Sequence, residues 1–84
     1  MATSNKSTPA KPARYWMGSD PKACDICRKD FEDTFIDGAT LRGPWANMCP
    51  ACWDRGLGLG GACTEGRGQR YQRQADGRWL KVEG

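Results

Sequence analysis

The sequence predicts a small α+β domain stabilised by metal, either a zinc ribbon or a treble-clef-like finger, with two β-hairpins and at most one short helix behind a disordered N-terminal tail. Three observations carry this. Two pairs, Cys24-Asp25-Ile26-Cys27 and Cys49-Pro50-Ala51-Cys52, are separated by 21 residues, just beyond the gap of about 15–20 typical of paired Cys-x-x-Cys zinc sites. The chain has only 84 residues, of which roughly sixty remain for a fold beyond the tail, and domains of that size bury little surface and often need disulfides or metal as a staple. Between and after the pairs, short runs of β-branched and aromatic residues are punctuated by glycine, which is strand-and-turn grammar.

Residues 1–20 are rich in Ser, Thr, Asn, Lys and Pro and carry little aliphatic surface to offset the entropy of ordering, so they read as a disordered basic tail and residues 21–84 as the zinc-binding domain. Tyr15, Trp16 and Met17 break the pattern as an apolar patch, suited to capping the core or to meeting a partner. Nothing in the first residues resembles a secretory signal, and no run of apolar residues could span a bilayer. The expected setting is the reducing, cytoplasmic interior of a cell, where thiols remain available to metal and no membrane is involved. An odd cysteine count of five also argues against a closed disulfide set.

The first pair should form a knuckle, a tight turn whose amides point at thiolate sulfur. Thr34-Phe35-Ile36 and Leu41-Arg42 then read as a short hairpin, with Gly38 supplying the turn. Gly43-Pro44 bends the chain, and Trp45 to Met48 returns it to the metal. At the second pair two conformations are open, another knuckle or a short helix. The helix is favoured because Pro50 fits a first helical position, Gly56 fits a terminus, and Trp53-Asp54-Arg55 has no strand alternation. From Gly56 to Gly68, six of thirteen residues are glycine; without a preceding strand, a following helix or a Lys-Ser/Thr pair this is a connector and no phosphate-binding loop. Cys63, inside it, reads as a spare, partly exposed thiol.

The C-terminal segment predicts a hairpin turning at Asp76-Gly77. With a two-residue turn, Arg73 faces Leu80 and Tyr71 faces Val82, so Tyr71, Leu80 and Val82 pack inward while Trp79 stands outward among basic and amide side chains. Arg67, Arg70, Arg73, Arg78 and Lys81 would then meet phosphate, and Trp79 would stack on bases.

Four thiolates close a tetrahedral zinc sphere through Cys24, Cys27, Cys49 and Cys52, leaving no position for a catalytic water. The chain also has no histidine, the commonest general base. An enzyme is therefore not expected. The formal charge is +3, but four thiolates with one Zn²⁺ contribute two further negative charges, so the loaded protein sits near +1 and global charge says little about a polyanionic partner. The basic surplus lies in residues 1–20 and 55–84.

The segments Phe35-Ile36-Asp37-Gly38, Gly43-Pro44-Trp45-Ala46-Asn47-Met48-Cys49-Pro50-Ala51-Cys52, Gly66-Arg67-Gly68-Gln69-Arg70-Tyr71 and Trp79-Leu80-Lys81-Val82-Glu83-Gly84 resemble small zinc-ribbon-type proteins of tailed bacteriophages, over about residues 23–84. The longer glycine loop with Cys63 departs from that pattern. Iron in a rubredoxin-like site is the alternative metal, though rubredoxins usually carry glycine after each pair, where Arg28 and Trp53 stand. The resemblance implies origin and metal more than mechanism. Together these readings give a monomeric, non-catalytic module with one Zn²⁺, binding nucleic acid through the C-terminal hairpin or, alternatively, a phage or host protein, with association to a virion as one setting.

Overall fold

The computed structural model describes residues 12–84; the expectation of a disordered tail over residues 1–11 lies outside them. Four strands and one helix follow in the order β1 (Thr34–Ala39), β2 (Trp45–Met48), α1 (Pro50–Arg55), β3 (Gly68–Arg73) and β4 (Trp79–Glu83). The strands form one antiparallel sheet in the order β2-β1-β3-β4, so two hairpins are joined through the β1/β3 pair. This is the expected small α+β architecture with one short helix.

β1 is buried on both faces, with Phe35 and Ile36 fully inaccessible. Successive strand residues point to opposite sides. Ile36, paired with Met48 and Arg70, lies on the face that α1 covers with Trp53. Gly38 lies on the same face, and there the absence of a side chain is obligatory: a Cβ would stand 2.6 Å from Trp53 Cζ3. Gly38 is therefore inside the strand, and the turn expected at it lies further on. Thr40 closes that turn through both its N–H and its Oγ1 to the Pro44 carbonyl, at 3.1 and 2.7 Å, with Gly43 at φ +109°. The expected pairing of residues 34–36 with Leu41-Arg42 is replaced by Ala39 opposite Trp45 and Ile36 opposite Met48.

The other face is aromatic. Phe35 stacks on Phe31 and on Tyr71, with ring centroids 5.2 and 5.0 Å away, and receives the edges of Trp79 and Trp16 at 4.9 and 5.3 Å. Such pairs contribute about 0.5–1.5 kcal/mol each beyond their burial.

Trp79 is thus 2% exposed, which reverses the predicted orientation of the last strand. The cause is the turn. Gln74 N–H donates to Arg78 O, leaving Ala75, Asp76 and Gly77 as a three-residue loop in which Gly77 takes φ +90°. One residue more than a two-residue turn slips the register by one and exchanges the faces. Arg73 faces Trp79 and Tyr71 faces Lys81; a bulge at Arg70/Tyr71 follows, and Val82 is left exposed.

Both sheet edges are covered, as isolated edges must be to avoid pairing with other chains. Along β4, Lys81 N–H donates to Arg14 O and Trp16 N–H to Trp79 O, with Tyr15 bridging Leu80. The folded unit therefore reaches back to Arg14, inside the segment read as tail. Trp16 caps the aromatic core, whereas Met17 is exposed. Along β2, Asp25 N–H donates to Asn47 O, and Asn47 N–H donates back to Asp25 Oδ2, both at 2.8 Å.

Candidate metal centre

The first cysteine pair sits in a small loop closed by the bridge between Ala23 and Asp30 and by Cys24 N–H to Lys29 O at 2.9 Å. Its tip is a turn over Asp25, Ile26 and Cys27, fastened by Arg28 N–H to Cys24 O. Arg28 holds φ +70°, a left-handed conformation in which a Cβ costs about 1–2 kcal/mol. Arg28→Gly should accordingly raise the urea midpoint of the zinc-loaded protein, by a net gain of about 0.5 kcal/mol after glycine's extra unfolded-state entropy. An unchanged or lower midpoint would mean that the arginine compensates for its own strain.

The second pair belongs to α1. Cys49 is its N-cap, Pro50 takes the first helical position, where a missing N–H costs nothing, and Cys52 lies in the first turn. Gly56 terminates the helix, its N–H bonded to Cys52 O at 3.1 Å. A knuckle, a hairpin and a helix whose first turn carries the second pair form the treble-clef-like arrangement; the two-knuckle ribbon is excluded.

These elements bring the four predicted ligands together. The Sγ atoms of Cys24, Cys27, Cys49 and Cys52 all lie within 4.8 Å of one another, with Cys27 and Cys49 at 3.8 Å. Tetrahedral zinc with Zn–S bonds of about 2.3 Å requires sulfurs about 3.8 Å apart, so the donor set fits one Zn²⁺. Cys24 is fully buried and Cys27 is exposed, which places the site at the domain's margin with one wall in the core.

The thiols are electrostatically unequal without a cation. Burial raises the Cys24 thiol, but the backbone N–H groups of Cys27, Cys49 and Ile26 outweigh it and hold the thiol down to about 7. Burial, followed by hydrogen bonds shared with the other three sulfurs, pushes Cys52 up to about 12. One thiolate is prepared by the backbone while its neighbour resists a second negative charge. A divalent cation removes that conflict, since a coordinated thiol is deprotonated outright.

Cys63 is not part of this cluster. It is 3% exposed, in contrast to the partly exposed thiol expected, because the glycine-rich connector folds onto the sheet. Cys63 N–H donates to Glu83 Oε1, the same oxygen that accepts from Arg70 Nε at 3.0 Å. Its thiol is raised by burial. Gly58 lies against Trp53, where a Cβ would meet the Trp53 backbone at 2.6 Å. Cys63→Ser is expected to leave zinc stoichiometry at one per chain, measured by metal analysis after gel filtration; a fall in zinc content would overturn the ligand assignment.

The predicted nucleic-acid residues are not gathered into one accessible face. Trp79 is buried and donates Nε1–H to Asp20 Oδ1 at 3.0 Å, so the stacking role assigned to it is withdrawn. Arg70 is half-buried against Glu83. Arg78 pairs with Asp76 at 2.9 Å and lies 4.0 Å over the Tyr15 ring. Arg73 donates to Glu32 O and covers the Trp79 ring at 4.5 Å. Lys81 donates to Gly84 O, and Arg67 to Gly60 O at 2.6 Å. Of the six, Arg67, Arg73 and Arg78 are exposed.

Sequence reasoning missed two features. One is the Asp25 clasp on β2, foreshadowed only by an acid inside the first Cys-x-x-Cys. The other is the exposed pair Leu41 and Trp45, signalled by large apolar residues on either side of Gly43-Pro44.

Fold and donor set define a treble-clef-like domain with a single four-cysteine site. No protein family, curated protein or solved structure matches the chain.

Proposed function

We propose that this chain is a non-catalytic, zinc-stabilised recognition module. The closed set of four sulfurs within 4.8 Å carries the reading: a full tetrahedron holds a fold together and leaves no place for substrate. A cleft of about 210 Å³ beside the site, between residues 29–34 and Cys49–Ala51, is smaller than the roughly 300–1,000 Å³ of ordinary ligand pockets. No helix among the described residues is long and apolar enough to cross a membrane. The test is metal loading: one zinc per chain, with a cobalt-substituted spectrum of tetrahedral thiolate type. Substoichiometric metal, or a spectrum showing a bound water, would defeat the proposal.

A second reading keeps nucleic acid as partner through phosphate alone, supported by the exposed guanidinium groups of Arg67, Arg73 and Arg78. Without an aromatic platform among these residues, binding would be weak, indifferent to sequence and steeply salt-dependent. Fluorescence anisotropy with labelled single- and double-stranded DNA should show affinity at low salt that Arg73→Ala and Arg67→Ala reduce. Absence of binding at low salt removes this reading. The alternative to nucleic acid is a protein-interaction module of a phage, acting as a virion component or as a modulator of a host protein, a reading supported by the sequence resemblance alone.

A further inference from the structure

At the end of the sheet beyond α1, the β1–β2 turn and the glycine-rich connector lie side by side. Leu41 N–H donates to Leu57 O at 2.7 Å, Thr40 bridges Gly58, and Ala39 pairs with Trp45. This junction brings the backbones of Leu41 and Leu57 together at one end of the molecule, with Trp45 at the same end on the sheet face turned away from α1. Leu41 is 68% exposed and Trp45 47%, the two large hydrophobic side chains left exposed between β1 and β4. Elsewhere the sheet spends its aromatic residues on the core, so an exposed tryptophan at a turn is not surplus from packing.

Three arginines accompany the patch. Arg42 follows Leu41, Arg55 ends α1 two residues before Leu57, and Arg67 stands beside Ala39, whose N–H donates to the Arg67 carbonyl. None of the three has a carboxylate partner among the described residues, whereas Arg70 and Arg78 do. Of the nearby acids, Asp54 spends Oδ1 on the Gly61 N–H, and Glu65 is exposed in the turn before Arg67. Of the other carboxylates, Asp25, Asp30, Glu32 and Asp33 lie in or just after the knuckle, Asp20 accepts from Trp79 Nε1, and Asp37 is half-buried within β1 opposite Asn47.

We infer that this end of the sheet docks an acidic segment of a partner protein that also carries apolar side chains. The inference rests on the reading of the chain as a recognition module and names its partner. Tryptophan and arginine together are the residues most enriched at binding hot spots. Guanidinium groups without a carboxylate partner, those of Arg42 and Arg55 with Arg67 held on the Gly60 carbonyl, select carboxylates and repel basic competitors. Leucines distinguish this surface from one for nucleic acid, since aliphatic side chains offer bases neither stacking nor hydrogen bonds.

The test pans the zinc-loaded protein against a display library of random dodecapeptides and titrates an enriched synthetic peptide by amide NMR. Enriched peptides should combine Asp or Glu with Leu, Phe or Trp and shift the amides of Leu41, Trp45 and Leu57. Trp45→Ala and Arg42→Glu should each weaken binding by about tenfold or more, while Met17→Ala, another exposed apolar position, should not. Arg42 is exposed in a turn, so its variant serves if Trp45→Ala fails to fold. No enrichment, enrichment of neutral or basic peptides, shifts confined to β3–β4, oligo-dT shifting these amides instead, or self-association through Trp45 would each overturn the inference. A protein that folds and holds one zinc yet enriches no acidic peptide loses this surface alone; one that fails to hold zinc loses the module reading.

Discussion

Excess chelator is expected to abolish the dispersed amide spectrum across residues 24–83. The site fastens the knuckle to the start of α1, and α1 supplies Trp53, the fully buried ring that covers Ile36, Gly38 and Gly68. A six-residue helix has no stability of its own in water, so α1 persists only while docked. Structural zinc contributes on the order of 10–16 kcal/mol of apparent binding free energy at neutral pH, against a total stability of about 5–15 kcal/mol for a typical domain. Removing it exposes one face of the sheet and leaves four thiols crowded within 4.8 Å. Cys24→Ser should reproduce the loss, because Cys24 is fully buried and its Sγ also accepts the Ile26 N–H at 3.4 Å. A well-dispersed spectrum in excess chelator would show that the aromatic face folds the chain unaided, and would reduce the metal to an ornament on a finished domain.

How far these features could be read in advance depended on whether they were encoded locally. The ligand set was legible because Cys-x-x-Cys turns impose their own geometry, and α1 because Pro50 and Gly56 mark its ends. The β3–β4 hairpin was legible as a pair but not in register. Asp76-Gly77 fits a two-residue and a three-residue loop equally well, and the choice falls to the core: one register buries Trp79 beside Phe35, the other would bury Leu80 and Val82. Trp79 presents its edge to both Phe35 and Phe31, aromatic contacts that neither aliphatic residue can make, so packing selects the longer loop. Gly38 misled for a related reason. Glycine marks a turn or a close approach, and here the thing approaching was Trp53, which comes from a segment fifteen residues away. The N-terminal boundary was obscured because Arg14 to Trp16 acquire order from partners distant in sequence, the edge strand β4 and the aromatic core that Trp16 caps.

The aromatic half of the domain should be as dependent on Phe35 as the other half is on metal. Phe35→Ala is expected to lower the unfolding free energy of the zinc-loaded protein by about 3–5 kcal/mol, the range for deleting a fully buried phenylalanine. The upper part of that range applies because the surroundings are poorly able to collapse. Trp16 is fixed by its backbone bond to Trp79 O, Phe31 by its bond to Lys22 O, and Tyr71 by its place opposite Phe35 in the β1/β3 ladder. The four rings that touch Phe35 would line a cavity rather than fill it. Urea unfolding in excess zinc measures the loss directly, and Phe35→Leu should recover much of it by restoring volume without the stacking. Where the variant remains folded it should still hold one zinc, since Phe35 points away from the face that α1 covers. A loss below about 1.5 kcal/mol would mean that the aromatic cluster repacks, and that the two faces of this sheet are less independent than their geometry makes them.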